Sequence, residues 1–233
     1  MKTLTIIAVV GGALLAAVSA KAAQYGDAST CYAGAKVSDP HRKIDFYSQC
    51  LKGAPMAGEM ASAIFINRGV AYYEIGEFEK ALEDFTSATK YDPQEPTSYS
   101  DRAEIERKEG RSAQAIADLE QALRLRPSGW AVALRLAWEL ATSPDPSARD
   151  GKKAKAILER AQALKSGLFE WDLIAAVDAE LGEFDQAQKD EQKAIDLYKG
   201  SAESAAEMRA RLALYGKGKA FHQEPVVKSG RTD

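Results

Sequence analysis

Two adjacent segments of the chain, 62–95 and 96–129, match each other at a constant offset of 34 residues. The matched pairs are Phe65 and Tyr99, Gly69 and Ala103, Gly76 and Gly110, Ala81 and Ala115, Phe85 and Leu119, Ala88 and Ala122, and Pro93 and Pro127. A period of this length predicts a stack of similar units, because one unit of this size cannot bury its apolar face alone.

The spacing of residues within each copy indicates helices. Apolar residues recur at steps of three and four, as at Leu119, Ala122 and Leu123, which is the period of an α-helix. A glycine such as Gly76 ends the first helix and turns the chain. A proline such as Pro93 stops the second helix, because proline lacks the backbone donor that a helix interior needs. The pattern therefore predicts an all-α chain built from helical hairpins.

Small residues, an aromatic residue and a proline at this period resemble the tetratricopeptide-repeat family, and residues 69–93 are an especially close match. The resemblance implies a right-handed α-solenoid of stacked helix-turn-helix repeats with a C-terminal capping helix. We expect repeats at 62–95, 96–129, 130–167 and 168–199, with extra residues in the turn of the third. We also expect a degenerate opening hairpin at 23–61, a capping helix at 200–221 and a disordered tail at 222–233.

Residues 1–22 are typical of a secretory signal peptide. Lys2 precedes a mostly apolar run, and small residues follow, with cleavage after Ala20 or Ala22 left open. The run is short for an uncleaved membrane anchor, the alternative interpretation. No cysteine stands at the cleavage site, which argues against a lipoprotein. We expect a periplasmic or secreted protein with no stable membrane insertion after the signal is removed.

Charge and cysteine content fit that location. Removal of the signal takes the formal net charge from −3 to about −5, and an acidic protein is a poor candidate for binding nucleic acid. Cys31 and Cys50 are the only cysteines. In an oxidising compartment such a pair predicts a disulfide, and two small buried thiols are the alternative.

Motifs for catalysis or for metal binding are missing from the sequence. The only histidines are His41 and His222, and no H-E-x-x-H, C-x-x-C or G-x-S-x-G pattern occurs. The acidic loop at 143–150 lacks the regular spacing of a calcium site. We therefore expect no enzyme activity, no cofactor and no metal.

The resemblance also implies a concave groove lined by the first helix of each repeat, which would take an extended segment or a partner helix. The candidate groove residues are Ile66, Val70, Tyr73, Glu74, Ser100, Glu104, Arg107, Lys108, Leu134, Trp138 and Asp172. For each residue the alternative is an ordinary solvated or core position. Asn67, Arg68 and Arg102 are expected to tie neighbouring repeats together.

The leading hypothesis is a non-enzymatic scaffold of the cell envelope that binds a protein or peptide in this groove. One alternative is a structural envelope component that self-associates through its end repeats. A further alternative is a hydrolase or redox protein that uses the two cysteines.

Overall fold

The computed structural model describes Cys31 and residues 37–52, 56–165 and 170–224. The α-helices are α1 (Pro40–Lys52), α2 (Gly58–Glu74), α3 (Phe78–Tyr91), α4 (Pro96–Lys108), α5 (Ser112–Leu125), α6 (Trp130–Thr142), α7 (Gly151–Leu164), α8 (Trp171–Glu180), α9 (Phe184–Leu197) and α10 (Ala202–Tyr215), and a 3-10 helix spans Pro146–Ala148. The described part of the chain contains no strand. The predicted all-α class is confirmed.

The helices form two compact units, one ending at Ile105 and the other beginning at Glu106. In the first unit α1 packs on α2, and α2 packs on α3. In the second unit, consecutive helices from α5 to α10 pack on each other. Helix α6 also lies against α8. Because α6 and α8 are the first helices of successive hairpins, this contact is the neighbour-to-neighbour stacking that the repeat predicts.

The hairpin α2–α3 shows why the repeat residues are needed. Ala81 and Phe85 are buried on α3. A Cβ on Gly69 would come within 2.8 Å of the Phe85 ring, so a larger residue at 69 would push the two helices apart. Gly76 has a φ of +80°, which side-chain-bearing residues seldom adopt, and it makes the turn between the helices.

The segments assigned to repeats each contain two helices. Helices α2 and α3 fall within the first assigned repeat except at the start of α2, and α4–α5, α6–α7 and α8–α9 fall within the next three. The longer turn of the third repeat holds the 3-10 helix. The predicted signal peptide and residues 23–30 and 32–36 of the opening hairpin lie outside the described residues.

Arg68 ties together three helices of the first unit, α1, α2 and α3. Its Nε and Nη2 donate to the two carboxylate oxygens of Asp84 on α3, at 2.8 and 2.7 Å. Its Nη1 donates to the Ser48 hydroxyl on α1 at 3.1 Å. Burial raises the pKa of Asp84, and the hydrogen bonds and charge of Arg68 oppose that rise. In the same unit Arg102 of α4 donates to Thr89 of α3 at 3.3 Å.

The pair Cys31 and Cys50 forms a disulfide with a Cα–Cα distance of 5.8 Å. Both cysteines are partly buried against a small core made by Tyr47, Met60 and Ile64. The bridge therefore fastens Cys31 to α1, next to the contact between α1 and α2.

Replacing Arg68 by methionine should lower the free energy of unfolding by about 3 kcal/mol, because the Asp84 carboxylate stays buried without its partner. Chemical denaturation followed by circular dichroism measures this change. Asp84→Leu in the same background should restore most of the loss. The control is Lys80→Met, which breaks an exposed pair with Glu77 and should cost less than about 1 kcal/mol. Equal losses for R68M and K80M would contradict the assignment.

Reduction of the Cys31–Cys50 bridge should lower the free energy of unfolding by about 3 kcal/mol, because the bridge restricts the unfolded chain. The double variant C31S/C50S should show the same loss and no further response to reductant. Thiol titration gives an independent check. Two reactive thiols in the folded protein before reduction would overturn the assignment.

Candidate functional site

The candidate groove residues of α2 lie on the surface of the first unit and also support its core. Ile66, Val70 and Tyr73 are partly buried and pack against the cluster around Phe85. The Tyr73 hydroxyl donates to Glu104 Oε1 on α4 at 3.3 Å, which joins two residues predicted separately. This face therefore presents an aromatic side chain with a fixed orientation.

Two other candidates in the first unit differ in accessibility. Glu74 is exposed and forms an ion pair with Lys43 of α1 at 3.2 Å. Ser100 is only 8% exposed, and its hydroxyl donates to the Thr97 carbonyl of its own helix at 3.0 Å. The Ser100 hydroxyl is thus committed to α4, and its assignment to the groove stays a prediction.

In the second unit the chain itself covers the first-helix faces. After α10 ends at Tyr215, Gly218 adopts a φ of +65° and the chain leaves the helix. Residues 220–224, here called the C-terminal strap, then run without helical structure along α6 and α8. The Phe221 ring lies 6.3 Å from the Trp138 ring, centroid to centroid.

Polar bonds hold the next residues of the strap. The Gln223 backbone N–H donates to the Thr142 carbonyl at 2.7 Å, and Gln223 Nε2 donates to Thr142 Oγ1 at 2.8 Å. His222 Nε2 lies 2.8 Å from Glu180 Oε2 on α8. The tail predicted at 222–233 begins within the strap, where α8 supplies a partner for His222 and α6 supplies partners for Gln223. The rest of that tail, 225–233, lies outside the described residues.

Arg211 of α10 brings two predicted groove residues together. Its Nη2 is 3.8 Å from Asp172 Oδ2, and its guanidinium carbon is 5.7 Å from the centre of the Trp138 ring and 5.8 Å from that of Phe221. Its Nε donates to Glu191 Oε1 at 3.0 Å. Sequence reasoning missed Arg211, although a signal for it exists.

That signal is the position of Arg211 in the helical period of α10. Met208, Arg211 and Tyr215 recur at steps of three and four and form the buried face of the helix. A basic residue in such a register predicts an acidic partner in the core, because a buried charge needs a counter-charge.

Glu191 is that partner, and its environment shifts its ionisation. The residue is fully buried, and its Oε2 has no hydrogen-bond partner. Burial raises its pKa to about 7, and the charge and hydrogen bond of Arg211 oppose part of that rise. The nearby Tyr215 hydroxyl is also buried without a partner, and burial raises its pKa.

The remaining candidates lie on α4 and α6. Leu134 is half-buried and one turn before Trp138. Arg107 Nε lies 3.7 Å from Glu139 Oε1, whose side chain is buried. A shallow cavity beside the strap is lined by Arg107, Lys108, Ser112, Glu139, Pro144, Gln223 and Glu224.

The described residues offer no group of side chains that would hold a metal ion. Over the same ranges, no helix is long and apolar enough to cross a membrane. What these faces do present is aromatic and charged groups on the first helices of successive hairpins.

The pKa of Glu191 predicts a pH dependence of stability. Its folded pKa of about 7 is above its ordinary value of 4.5. The stabilising effect of its protonated form is thus complete below pH 4.5 and is lost as pH rises through 7. Glu191→Gln should remove this dependence, which is at most about 3 kcal/mol.

Chemical denaturation between pH 4 and pH 8 measures the difference between wild type and E191Q. Glu203→Gln, at an exposed site on α10, is the matched control and should keep the wild-type profile. Parallel profiles for wild type and E191Q would contradict the shifted ionisation.

Comparison with known proteins supports the fold. A solved tetratricopeptide repeat protein from Parabacteroides merdae is 16% identical, with a TM-score of 0.67 over 82% of this chain and 72% of that chain. A structure of MamA is 21% identical, with a TM-score of 0.56 over 74% of this chain and 91% of that one. A second structure of MamA gives 17% identity and a TM-score of 0.55 over 75% and 94%. A search of curated proteins returned no match.

A family comparison adds sequence evidence to this likeness of fold. Residues 66–129 match the family model described as tetratricopeptide repeat, and they include most of the two copies found from the 34-residue period. The hairpins, their glycine turns and their neighbour-to-neighbour stacking agree with that match. Residues 66–129 are therefore similar in sequence to the tetratricopeptide repeat, and the described helices share the fold of solved tetratricopeptide repeat structures.

Proposed function

We propose that this protein is a non-catalytic scaffold that holds a protein or peptide segment on its first-helix faces. Tetratricopeptide repeats serve in general as scaffolds for protein interactions. The observation that carries the proposal is the strap itself, a non-helical segment seated on α6 and α8 by ring contacts and by hydrogen bonds to Thr142. A peptide partner in a groove uses the same kinds of contact.

We place this activity in the cell envelope. The signal-like residues 1–22 support export, and the Cys31–Cys50 bridge suits an oxidising compartment, where disulfides persist. Binding of a partner by Tyr73, Trp138 and their neighbours requires neither a cofactor nor a metal. The cysteines are joined to each other, so the alternative hydrolase activity would first require reduction of this bridge.

Self-association is the second candidate. Leu164 and Leu197, on the second helices α7 and α9, are 47% and 60% exposed. Single exposed apolar residues are ordinary on a monomer. The exposed leucines therefore support self-association less strongly than the strap seated on α6 and α8 supports the scaffold. Analytical sedimentation at high protein concentration distinguishes the scaffold from the self-associating component. A protein that stays monomeric there would contradict self-association.

The scaffold proposal predicts capture of a partner from envelope extract by residues 23–233. Trp138→Ser and Tyr73→Ser should each test one unit, and loss of the partner with either variant identifies the unit that binds it. The expected loss is about tenfold or more, as for a central aromatic residue of an interface. Circular dichroism checks that helicity is unchanged.

Leu197→Ser is the matched control, because it removes an exposed apolar side chain from a second helix. It should leave recovery of the partner unchanged. Equal recovery by all variants, or no reproducible partner, would count against a groove on the first helices.

A further inference from the structure

The strap makes an aromatic contact that a separate peptide could also make. Phe221 packs against a cluster that includes Ala175 and Ala179 of α8. Its ring is 6.3 Å from that of Trp138 and 5.8 Å from the Arg211 guanidinium carbon. The face thus supplies an apolar floor, a second ring and a cation, which together select an aromatic side chain.

The second contact requires a pair of donors. Thr142 is the last residue of α6, so its carbonyl has no partner within the helix, and the residue is buried. Thr142 Oγ1 donates its hydrogen to the Trp138 carbonyl at 2.8 Å. The lone pairs of Oγ1 can therefore still accept a hydrogen bond. Gln223 satisfies both oxygens, one with its backbone N–H and one with its side-chain amide.

Other parts of the strap hold it weakly. His222 and Glu224 are exposed, and a solvent-accessible contact such as that of His222 with Glu180 contributes little to stability. Apart from that contact, docking rests on the packing of Ala220 and Phe221 and on the bonds of Gln223. A partner that offers the same two groups would therefore compete with the strap on equal chemical terms.

We propose that the face formed by α6 and α8 recognises an extended segment with an aromatic side chain followed two residues later by an amide side chain. Residues 220–224 occupy this site in the free protein and leave when such a partner binds. The inference rests on the proposed function and deepens it, since it defines the chemistry of the partner and the event that precedes binding.

A labelled peptide with the sequence of residues 217–226 tests the site in the full-length protein. Phe221→Ala combined with Gln223→Ala should free the face, and fluorescence anisotropy should then show binding at least about tenfold tighter than to wild type, because a tethered segment competes at millimolar effective concentration. Gln223→Ala alone, which keeps the aromatic contact, should give a smaller gain. This single variant can still test the site if the double variant loses helicity.

Three controls locate the effect. Lys219→Ala, at an exposed side chain next to the strap, should leave peptide affinity at the wild-type level. A peptide with alanine in place of its phenylalanine and glutamine should not bind. Adding Trp138→Ser to the opened protein should abolish peptide binding, which assigns the site to α6.

Equal peptide affinity for wild type and the opened variant, or binding by neither, would overturn the proposal. A dimer of wild type that the double variant dissolves would overturn it too, because the strap would then belong to a second copy. The peptide assay contains no extract, so it is independent of the native partner. A partner lost with Tyr73→Ser but insensitive to the strap would keep the scaffold function and reject this site.

Discussion

Close approach of paired helices is the constraint on which the rest of the structure depends. In α2–α3 the Phe85 ring occupies the space that a side chain at Gly69 would need, and Ala81 is completely buried on the same helix. The same small residues recur at each hairpin, as at Ala115, Ala154 and Ala187. Because the hairpins are alike, the first helices of α6–α7 and α8–α9 come to lie side by side, and only then does a continuous face exist for a ligand.

Each unit also contains a buried acid with an arginine partner, and the two pairs show how geometry decides ionisation. Asp84 receives two hydrogen bonds from Arg68, which favour its charged form against the effect of burial. Glu191 has Arg211 at one oxygen only, and its other oxygen has no partner; burial outweighs the arginine at both acids and raises the pKa of Glu191 to about 7. The first pair is a structural tie, whereas the second joins the core to the ring contacts of the strap.

Much of the fold was predictable from sequence because it is encoded locally. The period of 34 residues, the glycine turns and the buried alanines each act over one hairpin, and the cysteine pair follows from composition and compartment. The strap was missed because five residues without periodicity carry no sign of where they dock. The burial of Ser100 was not predictable, because a repeat alignment gives the helix face but not the burial that neighbouring residues impose.

The sequence distance between Thr142 and Gln223 has a consequence for the order of folding. The bonds between neighbouring helices described above, such as Arg68–Asp84 and Tyr73–Glu104, join residues 16 and 31 positions apart, whereas Gln223 reaches back 81 positions. Contacts of large sequence separation close slowly, because more chain must be ordered first. Because α6 and α8 precede the strap in the chain and pack through shorter sequence separations, we expect these two helices to stack before the strap covers them.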